Sequence, residues 1–438
     1  MSIFPIDREE VSKIRKELGI NQISRASIRQ VVQLADRLEK QFGVGFIRTE
    51  MGVPGIPAPA IGVEAEIEAL KSGVASVYPP IQGVDMFKNE LSRFAKKFLD
   101  VDISPVGCIP TAGGMQASAI SCLAANRRDK SKDTTLFIDP GFPVQKRMMG
   151  VLGMKFESFD IYDFRGDKLE DKLETYLING NISTILYNSP NNPSWISMTE
   201  RELEIIGRMA NKYDVVVMED LAYFGMDFRH GKTEGPLQST VAKFTNNYIL
   251  LFSSSKIFSY AGQRIGGVMI SDKLFSRRFE DLSRFFVADQ LGPALLQEVV
   301  YTMSAGISHS AQYGVARILK AANDGEFNFV EYLHEYGRRA SSMKERFVSN
   351  GFYLVYDQDE GEPIGDGFYF TVAYPGMNGE DLLSELICYG ITAITLDTTG
   401  STRTEGLRIS VSHTTAERMD DLAERLRCFA CDHKLESV

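Results

Sequence analysis

Between residues 134 and 270 short apolar runs recur, each closed by polar residues: TTLFI (134–138), STILY (183–187), DVVVM (214–218), YILLF (248–252) and GGVMI (266–270). They are rich in Val, Ile and Leu and lack polar alternation, which predicts strands buried on both faces. Stretches such as RELEIIGRMANKY, with apolar positions at helical spacing, lie between them. Alternation of strand and helix predicts an α/β core with a mostly parallel sheet.

The flanks read differently. Val11, Ile14 and Leu18, then Ile28, Val31, Leu34 and Leu38, fall on helical faces ahead of the core. Beyond residue 320, NFVEYLHEYGRRASSMKERFVSNG predicts a long helix. FYLVY, GFYFTVAY and EGLRISVSH predict strands of a smaller α+β unit, and TTAERMDDLAERLRCFA a closing helix. The expected organisation is an N-terminal helical segment joining the small unit (1–60), a large unit (61–320) and a small C-terminal unit (321–438). A chain of 438 residues exceeds what one core usually holds, which agrees with two main units.

Composition narrows the class. A net charge of −10 argues against a general nucleic-acid surface. VSKIRKELGINQISRASIR is locally basic and admits a helix-turn-helix, but nothing else in this acidic chain supports DNA binding. A helix pair packed on the core is expected instead. No apolar stretch approaches ~20 residues, so no membrane span is expected. The N-terminus shows no apolar signal core, and five scattered cysteines fit a reduced protein, so a cytoplasmic location is expected. Cys428 and Cys431 are close in sequence, but no second pair accompanies them, so they read as incidental. Five histidines without clustered spacing predict no metal; His413 either faces the site or ends a strand.

In open α/β sheets, ligands bind beyond the carboxyl ends of the strands. TTLFI is followed by DPGFP with Phe142, STILY by NSPNNPSW with Asn192, and DVVVM by EDLAY with Asp220 and Tyr223. YILLF runs into Ser253, Ser254, Ser255 and Lys256, with Arg264 shortly after. IPTAGGMQASAI places Gly113, Gly114 and Met115 at a helix start, where backbone N–H groups and the helix dipole suit a phosphate. No GK[ST] follows, so this is not a nucleotide P-loop. Each feature alone has a plain reading as a turn, a cap or a solvated charge. Together they offer an amine, a carboxylate, a phenol, an amide, an aromatic ring and a phosphate cradle. Those are the needs of pyridoxal phosphate.

As a set, SSSK with an arginine after it, D-x-x-Y, P-N-N-P and GLRIS resemble the class I/II aminotransferases, of aspartate aminotransferase-like fold (fold type I pyridoxal phosphate enzymes). The resemblance runs from about Phe46 to Arg427. It implies a large domain with a mostly parallel seven-stranded sheet between helices, plus a smaller α+β domain. It also implies ping-pong transfer of an amino group from an L-amino acid to a 2-oxo acid. Lys256 matches the Schiff-base lysine, which also serves as acid and base. Asp220 matches the partner of the pyridine nitrogen. Tyr223 and Asn192 match donors to the phenolic oxygen, and Phe142 the stacking ring. Gly113, Gly114 and Met115 match backbone phosphate donors, completed by Ser253, Ser255 and Arg264. Arg408, in GLRIS, matches the arginine for the substrate α-carboxylate, near Asn192 and Gly52 of GVPG (52–55). Tyr78, in VYPPIQG, matches a tyrosine that reaches the partner subunit's phosphate, which implies a homodimer with shared sites.

The chain departs from the pattern at Ser194 and Trp195, where the family has Thr and Gly, and at Met115, where a side-chain donor is common. Trp195 is expected to pack at the domain interface rather than narrow the pocket. Arg284 lies in the region hardest to align; it is a candidate for a dicarboxylate substrate, though a surface position is the simpler expectation. Two alternatives share much of the sequence: a pyridoxal phosphate-dependent C–S β-lyase, and an aminotransferase-like DNA-binding regulator.

Overall fold

The computed structural model describes residues 4–433. Residues 1–3 and 434–438, the outer ends of the first and last expected units, lie outside the described residues.

Seven strands form the main sheet: β1 (Cys108–Thr111), β2 (Thr134–Asp139), β3 (Lys155–Asp160), β4 (Ile182–Asn188), β5 (Val216–Asp220), β6 (Tyr248–Ser253) and β7 (Gly266–Ile270). Their spatial order is β1-β7-β6-β5-β4-β2-β3. Pairings from β3 to β6 are parallel. β7 runs antiparallel to both β6 and β1. Only short turns, Ser254–Ile257 and Ala261–Gln263, separate β6 from β7. A parallel return needs a crossover of a dozen or more residues, usually a helix, so the chain doubles back beside itself.

Burial on both faces is visible residue by residue. Leu136, Ile138, Ile185, Val217 and Leu250 enter one apolar cluster. Phe137, Leu186, Val216, Met218 and Leu251, their alternates, enter another. Helices cover both sides, which is why these strands read as continuous apolar runs. The same criterion passes over β1, which contains Pro110, and β3, an edge strand whose first residues are exposed.

A second, antiparallel sheet follows: β8 (Tyr353–Leu354), β9 (Tyr369–Ala373), β10 (Ile394–Thr395) and β11 (Leu407–Ser410), in the order β10-β11-β9-β8. The helices Phe329–Ser349 and Met419–Asp432 pack against each other beside it. Two N-terminal helices, α1 (Arg8–Glu17) and α2 (Ile28–Phe42), bury Val11, Ile14, Val31, Leu34 and Leu38. Ser27 caps α2, with Gln30 reaching back to it. The link between them is tied to the C-terminal unit: Ser24 Oγ donates to Glu380 at 2.6 Å, and Thr395 Oγ1 donates to the Ser24 carbonyl at 2.8 Å. The apolar face of this basic stretch is thus committed to packing, while Lys13, Lys16, Arg25 and Arg29 stay exposed. Among the described residues, no helix is long and apolar enough to cross a membrane.

Candidate active site

The carboxyl ends of β4, β5 and β6 open onto a cavity of about 780 Å³. It is closed by Met51–Pro54, by the first turn of α2, and by Tyr369, Ile394 and Arg408 of the second sheet. Strand ends therefore meet the second sheet, and the cavity lies where they meet.

Lys256 sits in the turn directly after β6. The three preceding serines divide their tasks. Ser254 is buried and donates to the Ile265 carbonyl at 2.6 Å, fixing the turn. Ser253 and Ser255 face the cavity. The Lys256 amine donates to the Gly52 carbonyl and lies 5.5 Å from the Phe368 ring. Burial, with Arg408 and Arg264 nearby, pushes this amine down to about 7. A substantial fraction of it is therefore unprotonated near pH 7, as a nucleophile or base requires.

Asp220 closes β5. Its two oxygens accept from the Ala222 N–H and from Gln145 Nε2, both at 3.0 Å. Burial raises this carboxyl to about 6, a shift that a cation placed against it would reverse. Tyr223, on the same loop, lies with its hydroxyl 3.0 Å from that of Tyr369, and burial holds its phenol well above the usual value.

Arg408, on β11, is 1% exposed and has no carboxylate partner among the described residues. Nη1 donates to Asn192 Oδ1 at 3.4 Å, Nη2 donates to the Glu50 carbonyl, and Nε has no partner among the described residues. Glu50 itself is taken by Arg48, at 2.8 Å. The Arg408 guanidinium lies over the Tyr369 ring, 4.6 Å from its centre. A buried guanidinium without a counter-anion is costly, and a carboxylate in the cavity would relieve it.

Gly113 opens helix α3 (Gly113–Ala125) with φ +75°. Gly114 and Met115 line the cavity beside Ser253, Ser255 and Arg264. Arg264 Nη1 lies 3.4 Å from Ser255 Oγ and donates to the Ala261 carbonyl at 2.8 Å. Helix start, hydroxyls and guanidinium together form an anion cradle. Phe142 heads helix α4 (Pro143–Val151) and faces the same space.

Asn192 is positioned by its neighbour. Asn191 bonds to the Pro140 carbonyl at 2.8 Å and accepts from the Ser194 N–H and hydroxyl at 3.1 and 2.7 Å. This locks the loop so that Asn192 points into the cavity.

Lys256, Asp220, Tyr223, Asn192, Phe142, Gly114, Met115, Ser253, Ser255, Arg264, Arg408 and Gly52 thus share one cavity. Gly113 stands behind Arg264. Tyr78 does not line the cavity and is 85% exposed. His413 is exposed and outside it. Arg284 is a surface residue over the Phe285 ring, donating to the Asp281 carbonyl at 3.1 Å. Trp195 is buried, edge-on to Tyr223 and Tyr369, and packs on Gly367. Among the described residues, no cluster of His, Cys, Asp or Glu is arranged to hold a metal.

Sequence reasoning missed Gln145, Tyr369 and the start of α2. Gln145 lies on the helix that Pro143 opens, so its spacing from Phe142 was a usable signal. Tyr369 and Ile28 reach the cavity only through tertiary packing.

The family model for aminotransferase class I and II matches residues 42–426. The chain is 25% identical over 252 residues to a probable aspartate aminotransferase of Methanocaldococcus jannaschii, covering 58% of this chain and 62% of that protein. The match thus spans less than two thirds of that relative's length. It is 22% identical over 423 residues to aromatic-amino-acid aminotransferase 2 of Thermococcus litoralis, covering 95% and 98%. An aspartate aminotransferase double mutant of Thermus thermophilus superposes with a TM-score of 0.75 at 19% identity, over 92% of this chain and 96% of that one. The seven-stranded architecture is therefore that of the fold type I enzymes, and the chain belongs to the aminotransferase class I and II family.

Proposed function

We propose that this protein is a pyridoxal phosphate-dependent aminotransferase that exchanges an amino group between an L-amino acid and a 2-oxo acid by a ping-pong route. The observation that carries the reading is one cavity holding both a lysine amine depressed to about 7 and a buried arginine without a counter-anion among the described residues. An amine and a carboxylate site side by side are what an α-amino acid requires.

The residues fit the cofactor. The Gly113–Gly114 helix start, Ser253, Ser255 and Arg264 suit its phosphate. Asp220, buried and raised to about 6, suits the protonated ring nitrogen. Tyr223 and Asn192 suit the phenolic oxygen, and Phe142 the ring face. Pyridoxal phosphate, when bound, supplies a carbonyl for amine exchange and an electron sink for the Cα carbanion.

The chain's own residues do the rest. Arg408 holds the α-carboxylate as a fork, with Asn192 beside it, and so orients Cα. The Lys256 amine, in its unprotonated form, takes the proton from Cα and returns it on the other side of the exchange. Asp220 would stay ionised against a cationic ring nitrogen, and Gln145 and the Ala222 N–H hold it in place.

A homodimer is part of this reading. The helix Ala60–Lys71 exposes Val63, Ile67 and Leu70, and the loop after it exposes Val77 and Tyr78. So much exposed apolar surface around Tyr78 supports a partner subunit there. We assign residues 61–320 to the large domain, 321–438 to the small one, and 1–60 to a segment joining the latter. The five cysteines are free thiols, which supports a cytoplasmic location.

The test is spectroscopic. Purified holoenzyme is mixed with single amino acids and its visible band is followed, then a 2-oxo acid is added. Loss of the band and its return support transamination. Pyruvate and ammonia released from a cysteine conjugate without any oxo acid would instead indicate the β-lyase. Lys256→Ala should lower turnover by about 10²–10⁴-fold or more.

A further inference from the structure

The substrate side chain must lie in the outer part of the same cavity, and this inference rests on the aminotransferase reading. That outer part has two layers. The inner one is an apolar collar of Ile28, Val32, Val53, Val144 and Ile394. At its rim stand two exposed arginines, Arg29 on α2 and Arg147 on α4.

Neither guanidinium has an ion-pair partner among the described residues. Their surroundings make this notable. Lys146, next to Arg147, is neutralised by Asp139. Arg29 lies in the first turn of α2, where the helix dipole disfavours a cation and no acid is present. Asp220, deep at the strand end, is the one carboxylate among the described residues that line the cavity, against Arg29, Arg147, Lys256, Arg264 and Arg408. A cationic side chain would find no partner at the rim. A short acidic one would end in the apolar collar with its charge unpaired, which is costly.

We propose that this site takes amino acids whose side chain is an apolar stem ending in an anionic group. The stem lies along Ile28, Val32, Val53, Val144 and Ile394, and the anion pairs with Arg29 and Arg147.

The experiment measures kcat/KM of the holoenzyme with L-aspartate, L-glutamate, L-2-aminoadipate and L-2-aminopimelate. L-Norvaline, L-norleucine and L-lysine serve as neutral and cationic references. The longer anionic donors should exceed the neutral ones by about tenfold. Their advantage should shrink with added salt. The double variant Arg29→Gln, Arg147→Gln should lower the anionic-to-neutral ratio by about tenfold, mainly through KM. Neutral or cationic donors preferred by the unaltered enzyme, or a ratio that the variant leaves unchanged, would overturn the inference while leaving transamination standing. No reaction with any donor would sink the transamination reading, and this inference with it.

Discussion

The Arg264 guanidinium lies against Gly113 so closely that a β-carbon at the glycine would stand 2.6 Å from Nη2. Arg264 comes from the turn between β6 and β7, and Gly113 from the start of α3. The contact brings a cation onto a helix N-terminus, and it persists only while position 113 stays bare.

Gly113→Ala therefore strikes twice. It adds the β-carbon and places alanine at φ +75°, where a left-handed residue costs roughly 1–2 kcal/mol. We expect cofactor affinity to fall by about tenfold or more, read by absorbance titration of the apoprotein with pyridoxal phosphate. Unchanged affinity with unchanged circular dichroism would remove the cradle assignment.

Arg408→Lys keeps a positive charge but loses the fork. Each charge-assisted hydrogen bond contributes about 1.5–3 kcal/mol, so kcat/KM should fall by roughly 10–100-fold for every amino acid donor. The loss should be common to neutral and acidic donors, because the α-carboxylate is common to them. A loss confined to one side-chain class would assign Arg408 to the side chain instead.

Glu219 offers a pH test away from the chemistry. It is fully buried beside Tyr187, accepts from the Val241 N–H at 3.0 Å, and is pushed up to about 8 from 4.5. Between those values the fold holds a proton that the unfolded chain has released. Stability from this group is thus complete below about 4.5 and is lost as pH rises through 8. Glu219→Gln copies the protonated carboxyl and cannot ionise. Its melting temperature relative to the unaltered protein should rise from pH 5.5 to about pH 8 and level off above that. A pH-independent difference would show that Glu219 is ionised throughout.

Trp195 occupies a left-handed backbone position, φ +67°, where the resemblance leads one to expect glycine. The backbone cost is about 1–2 kcal/mol. Its ring fills the space between Tyr223, Tyr369 and Gly367, and deleting a buried Trp costs roughly 3–5 kcal/mol. Packing wins, so Trp195→Gly should destabilise by a net ~1–4 kcal/mol in urea titration. A stabilised variant would show that strain dominates.

The strand core was legible because strands buried on both faces leave continuous apolar runs, and the loops at their ends line the cavity. Lys256, Asp220, Tyr223, Asn192 and Arg264 could be found that way. β3 was not legible, since an edge strand has little apolar signal, and neither was the reversal of β7, which follows from a short connection.

Chemical capacity, then, was written locally: one amine, one carboxylate and one anion cradle at adjacent strand ends. Their consequences were decided by the tertiary structure. Lys256 has its amine pushed down toward neutral pH only because packing desolvates it beside Arg408 and Arg264, which stand 152 and 8 positions along the chain. Arg408 becomes a buried cation without a carboxylate partner among the described residues only because β11 packs against two separate segments, one carrying Glu50 and the other Asn192. Ile28, Arg29 and Val32 join the site only because α2 folds over the strand ends. Desolvation and long-range neighbours are properties of the packed molecule, and no local stretch of sequence carries them.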